Sequence, residues 1–129
     1  MVRVGGRVMS LNELEHDVIR PTFKDPRIHV ALVCAARSCP QILPRAYRAD
    51  DLAAVLEGNM RRFVNDPIRN PIDAANKKLR LSKIFDWYAD DFGGKEKVAA
   101  YVDKYHPEDV ADWPVEFVEY DWSLNAVTE

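Results

Sequence analysis

Eight prolines, Pro21, Pro26, Pro40, Pro44, Pro67, Pro71, Pro107 and Pro114, cut this chain into short segments and so limit what it can fold into. A proline lacks a backbone donor and fixes its own φ, so helices end near it and central strands avoid it. Arg3 to Met9 reads as a short hairpin around Gly5-Gly6. Ser10 then opens a helix, with Glu13 three residues on completing a capping box. Leu11, Leu14 and Val18 recur at helical spacing, which predicts a core-facing stripe that ends before Pro21. RIHVALVC (27–34) predicts an interior strand, apolar on both sides from Val30 onward. Residues 34–44 are read as a loop. Asp50 or Asp51 caps a second helix with Leu52, Val55, Leu56, Met60 and Phe63 on one face, ending near Asn65. KKLRLSK (77–83) alternates as a short strand, and Ser82 caps a helix bearing Ile84, Phe85, Trp87 and Tyr88. Asp91 to Gly94 breaks that helix. Another runs through residues 95–105 to His106-Pro107, and VEFVEYDWSL (115–124) is strand-like. Strands interspersed with helices give an α+β or mixed α/β fold, a small sheet packed by several helices in one domain spanning 1–129.

Charge and hydropathy restrict the function classes. The net charge is −3, so composition gives no support for a nucleic-acid partner. No apolar run approaches the roughly 20 residues of a membrane helix, and the start MVRVGGRVMS lacks the apolar stretch of a signal peptide. Two cysteines do not make a disulfide scaffold. They leave the compartment, and with it the localisation, unassigned.

Both cysteines fall in CAARSCP (34–40), directly after the predicted strand. Three chemistries compete for them: a nucleophile, a disulfide or metal clip, and plain packing. Cys34, at the end of an apolar run, reads as a small buried hydrophobe. Cys39 sits in a loop before Pro40, where an exposed, positioned thiol is plausible. Cysteine attacks as thiolate and needs a base or another stabilising group nearby. His16 and His29 are the candidate bases, and His106 reads as a helix-terminus residue. Arg20 and Arg27 are candidates to bind a substrate carboxylate through paired N–H groups. Trp87 and Tyr88 are candidates to wall a pocket. Asp86, Asp90 and Asp91 lie together and read as a solvated acidic face. The C-x4-C spacing with no following histidine pair does not complete a zinc site, so no metal is expected. No nucleotide loop or nucleophile-elbow motif occurs, so no cofactor is expected.

SLNELEHDVIR, DPRIHVALVCAARSCP, LSKIFDWYADDF and YDWSLN together resemble, in that order, the family called domain of unknown function 547. The blocks run from Ser10 to Asn125. The resemblance marks His16, then Pro26, Arg27 and His29, then Ser38, Cys39 and Pro40 as family positions. Members are found in bacteria, often exported. Many carry Asn-Cys-Gly-Ala where this chain has Val33 to Ala36, and an upstream Trp-x-Asn-x-Tyr-Asn helix that this sequence does not contain. The chain is therefore expected to lack an N-terminal part of the family domain. The leading expectation is a cysteine-dependent hydrolase or acyltransferase of papain or transglutaminase style, acting on a small molecule or peptide. In it Cys39 attacks, His29 or His16 is the base, Arg20 or Arg27 holds the substrate and Trp87 lines the pocket. The competing expectation is a non-catalytic binding module, in which His16, Arg20, Arg27 and His29 form a structural network. Oligomeric state is left open.

Overall fold

The computed structural model describes residues 1–127. Strands β1 (Val2–Val4) and β2 (Arg7–Met9) form the expected antiparallel hairpin, with Val2 opposite Met9. Its two-residue turn needs positive φ at both positions, which glycine adopts without strain. Gly5 and Gly6 supply it, at φ 55° and 82°. The capping box also forms. Ser10 Oγ accepts from the Glu13 N–H at 3.1 Å, and Glu13 accepts from the Ser10 N–H at 2.7 Å.

The helix so started differs from the expectation in two ways. It does not stop before Pro21: α1 (Leu11–Glu13) passes into a π-helical segment, Leu14–Ile19, and then α2 (Arg20–Phe23). The wider turn explains the tolerance. The Arg20 N–H bonds the Glu15 carbonyl, five residues back, and the missing donor of Pro21 falls in the first turn of the α segment that follows, where it costs little. Lys24, at φ 51°, closes the helix in the left-handed region. Nor is the apolar stripe core. Leu11 is 68% exposed, and Leu14 and Val18 are only half-buried.

The predicted interior strand is instead a 3-10 helix, Pro26–Val30, followed by irregular chain. Local chemistry decides this. Pro26 occupies a first-turn position, where its fixed φ suits a helix, and Asp25 caps the turn by accepting from the Arg27 N–H at 3.0 Å. Among the described residues no strand pairs with the segment to complete a ladder. Ile28, His29 and Val30 are all buried, and the apolar run that looked like a strand is spent in this one turn.

Helix α3 (Leu52–Val64) matches the expected element and buries Leu56, Met60, Phe63 and Val64. Asp51 stands at its N-cap, but its carboxylate pairs with Arg45 at 2.6 Å and caps nothing. Strands β3 (Leu79–Leu81) and β4 (Val115–Phe117) pair in parallel. Between them run α4 (Ile84–Trp87), two 3-10 turns (Ala89–Phe92 and Lys95–Lys97) and α5 (Val98–Asp103). Parallel strands require such a crossover. The fold is α+β, with two two-stranded sheets in place of the single small sheet expected. No helix among the described residues is long and apolar enough to cross a membrane.

The core joins α3, β3, α4 and α5 around Met60, Phe85, Leu79 and Val98, all fully buried. Of the first fifty residues, only Val30 belongs to it. One buried side chain ties two of its elements. Asn70, 2% exposed, donates to the Phe63 carbonyl at 2.7 Å and accepts from the Ser82 N–H at 2.8 Å. It joins the end of α3 to the entrance of α4. A buried group left without its partner costs about 1–3 kcal/mol. Asn70→Ala is therefore expected to lower the unfolding free energy by about 2–5 kcal/mol in urea titration, whereas Asn12→Ala on the exposed helix face stays within about 0.5 kcal/mol. Equal small effects would show that Asn70 is not a structural tie.

Candidate active site and thiol loop

Asp91 gathers the histidines. Its Oδ2 accepts from Arg20 Nε at 2.9 Å and from His29 Nε2 at 2.7 Å. Arg20 Nη1 donates in turn to His16 Nδ1 at 3.1 Å. The widened π-helical turn sets His16 and Arg20, four residues apart, on one side of their helix. His29 comes from the 3-10 turn and Asp91 from the turn after α4. The Tyr88 ring stacks on His29, with centroids 3.9 Å apart and planes 11° from parallel, and Arg20 lies 4.9 Å from the same ring. A cation over an aromatic face adds electrostatic attraction to the ion pair.

These contacts shape the ionisation of the group. Burial lowers the pKa of His29 below its ordinary 6.5, although Asp91 pulls the other way. The neutral ring thus carries its proton on Nε2, facing Asp91. Burial works against ionisation of Asp91, but the hydrogen bonds from Arg20 and His29 more than offset it, and its pKa lies below the usual carboxylate value. His16, Arg20 and Asp91 line an open cleft of about 440 Å³, with Lys24, Asp25, Ile28 and Asp90 among its other walls. The volume lies in the range of small-ligand sites, roughly 300–1,000 Å³.

The thiols occupy a different place, and their expected exposure is reversed. Cys39 is 5% exposed, whereas Cys34 is on the surface. Burial pushes the Cys39 pKa up to about 11. At Cys34, burial also opposes ionisation, but hydrogen bonds from the Ala36 backbone, the Cys39 thiol and Tyr120 outweigh it and lower the pKa. Cys39 Sγ accepts from the Cys34 N–H at 2.7 Å, and Cys34 Sγ lies 3.9 Å from the Tyr120 hydroxyl. Among the described residues neither His16 nor His29 hydrogen-bonds a thiol; the His16 ring bonds Arg20 and the His29 ring bonds Asp91. The proposed arrangement of Cys39 with an imidazole base is therefore not formed. The reason is topological: the strand expected to carry His29 towards the loop does not exist.

What holds the thiol loop is the C-terminal chain. Arg37 and Ser38 donate to the Ser123 and Asp121 carbonyls at 2.9 and 3.2 Å, and the Asn125 N–H donates to Ala35 at 2.8 Å. The Asp121 N–H also bonds Ser38 Oγ at 2.8 Å. From beneath, buried Arg69 donates to the Cys39 carbonyl at 2.5 Å and pairs with Asp66 at 2.7 Å.

Two further candidates stand apart from the cleft. Arg27 is already paired within the protein. Its guanidinium pairs with Asp25 at 2.7 Å and Glu57 at 3.3 Å, which pins the 3-10 turn to α3. Trp87 sits with the thiols, its ring 4.9 Å from Tyr120 and 5.7 Å from Trp122. Asp91, expected from the sequence to be a solvated acid, is instead a hub of the cleft, and Tyr120 and Arg69 hold the thiol loop without any motif that marks them. Asp91 lies 71 and 62 residues from its partners, so no spacing rule could have joined them. No group of three or more His, Cys, Asp or Glu able to hold a metal ion is present among the described residues.

Comparison with curated proteins and with solved structures finds no match to this chain. One family model does match, over residues 1–64. That span takes in His16, Arg20, Arg27, His29 and both cysteines, while Asp91, Tyr88 and Tyr120 lie beyond it. Residues 1–64 of the chain are similar to the family described as "Protein of unknown function, DUF547".

Proposed function

We propose that this domain is a binding module whose site is the cleft between the π-helical turn and Asp91, and that its ligand is a small zwitterion of the amino-acid or dipeptide kind. The observation that carries the reading is the Asp91 network, which fixes His16 and Arg20 at the wall of an open cleft. A hydrolase built on Cys39 has less support, because that thiol is buried and its pKa is raised.

The ligand class follows from the charge of the walls. Asp25 is taken by Arg27, and Asp91 by Arg20 and His29. Lys24 and Asp90 line the same cleft, are exposed, and enter no ion pair among the described residues. A ligand with a carboxylate for Lys24 and Arg20 and an ammonium for Asp90 would satisfy both ends. A net anion would meet Asp90 unpaired, and a net cation would meet Lys24 unpaired. Opposed charges of this kind select by repulsion as well as attraction.

Titration of the protein with the dipeptide Ala-Ala, followed by NMR, is expected to shift backbone amides of residues 16–25 and 90–91 saturably. Lys24→Ala and Asp90→Asn should each weaken binding about tenfold or more, the worth of one hydrogen bond to a charged group. Unmoved amides at millimolar Ala-Ala, or binding indifferent to both substitutions, would refute the reading.

The same network predicts a pH edge. His29 is held neutral in the fold and takes a proton more readily when unfolded, so the unfolded state binds more protons below the ordinary value of 6.5. Stability therefore rises with pH in that window, and is lost as pH falls below 6.5, by at most about 1.4 kcal/mol per unit for one proton. The contribution of Asp91 persists to lower pH and is lost only below its ordinary 3.8. Urea midpoints between pH 7.5 and 5 should fall in the native protein, and the slope should flatten in His29→Gln. An identical slope in that variant would assign the effect to other groups.

A further inference from the structure

The cleft leaves the thiol loop unused. We infer that Cys34, Cys39 and Tyr120 form a thiol–disulfide exchange centre for small peptide disulfides, with Cys34 as the attacking sulfur and Cys39 as the resolving one. Four observations converge on it. The Cys34 N–H donates to Cys39 Sγ at 2.7 Å, which sets the Cys39 sulfur against the backbone of Cys34. Cys34 is at the surface and Cys39 is buried. The loop that carries them is fixed on two sides, by the C-terminal chain and by Arg69. Beside Cys34, Tyr120 leads to an aromatic patch in which Trp122 is 68% and Trp87 46% exposed. Exposed, adjoining aromatic faces suit the flat amides of a peptide.

The chemistry balances with a disulfide RSSR as the oxidant. The Cys34 thiolate attacks one sulfur of RSSR, the S–S bond breaks, and RS⁻ leaves and takes a proton from water. Cys34 is now a mixed disulfide without charge. Burial is the main cause of the high Cys39 pKa, and the negative charge on Cys34 adds to it. Loss of that charge eases ionisation of Cys39, which gives its proton to solvent and attacks the Cys34 sulfur. The second RS⁻ departs and is protonated. Two protein thiols have lost two electrons, and RSSR has become two RSH. Thiolate character favours attack by Cys34 over Cys39.

The test uses the full chain, oxidised glutathione and intact-mass spectrometry at pH 7. The native protein should pass through a single-glutathione adduct to a species lighter by two hydrogens. Cys39→Ser should stop at the adduct, and Cys34→Ser should form neither. Tyr120→Phe should slow the first step about threefold to tenfold, as loss of a hydrogen bond to the thiolate requires. Trp122→Ala should slow reaction with oxidised glutathione but not with hydroxyethyl disulfide, which has no peptide. If a cysteine variant fails to fold by circular dichroism, peptide mapping of the native protein after brief iodoacetamide treatment at pH 6 decides, and Cys34 should be alkylated first. Adduct formation in Cys34→Ser, a glutathione adduct on the native protein that never closes, or alkylation of Cys39 first, would overturn the proposal.

Discussion

One carboxylate joins the two halves of this molecule. Residues beyond 59 build nearly all of the core, and the first fifty contribute only Val30 to it. The N-terminal hairpin and helix therefore attach to a body they do little to fill. Area burial there is modest, so directed bonds must fix their placement. Asp91 supplies two, to Arg20 and His29, and Tyr88 beside it receives both side chains on its ring. A half-buried carboxylate with two donors is worth more than an exposed pair, because water competes less for it. A second tether, Arg27 to Asp25 and Glu57, fixes the 3-10 turn against α3.

The same turn of chain separates two chemistries. Trp87 and Tyr88 are adjacent at the end of α4, and successive residues there point to different neighbours. Tyr88 stacks on His29 in the cleft network, and Trp87 packs with Tyr120 and Trp122 beside the thiols. The histidines and the cysteines, which the family motif places within 24 residues of one another, thus belong to distinct surroundings in this fold. One surrounding is built from charges and an imidazole held neutral. In the other, backbone and hydroxyl donors favour a thiolate at the surface.

Much of the local structure could be read directly. The Gly5-Gly6 turn, the Ser10 and Glu13 capping box, the face of α3 and the break at Gly93-Gly94 all appear where residue chemistry puts them. These features depend on a few neighbouring residues, so nothing distant can override them. The interior strand was misread for the opposite reason. An apolar run of RIHVALVC type suits a buried strand and a buried helical turn equally. Pro26 and the Asp25 cap settled it locally, and the absence of a pairing partner settled it globally.

Sequence alone determined the elements whose reasons are local: turns that need positive φ, caps that need a side-chain acceptor, and helices whose apolar face repeats on one side. It also named candidate residues, and Arg20, His16, His29 and the two cysteines all lie at places where they bond one another or their neighbours. Only the tertiary structure decided how they group. Asp91 reaches Arg20 across 71 residues and His29 across 62, and the C-terminal chain reaches the thiol loop across more than 80. Contacts at such separations are fixed by how the core closes, and burial, which raised the Cys39 pKa while Cys34 stayed at the surface, exists only once it has closed.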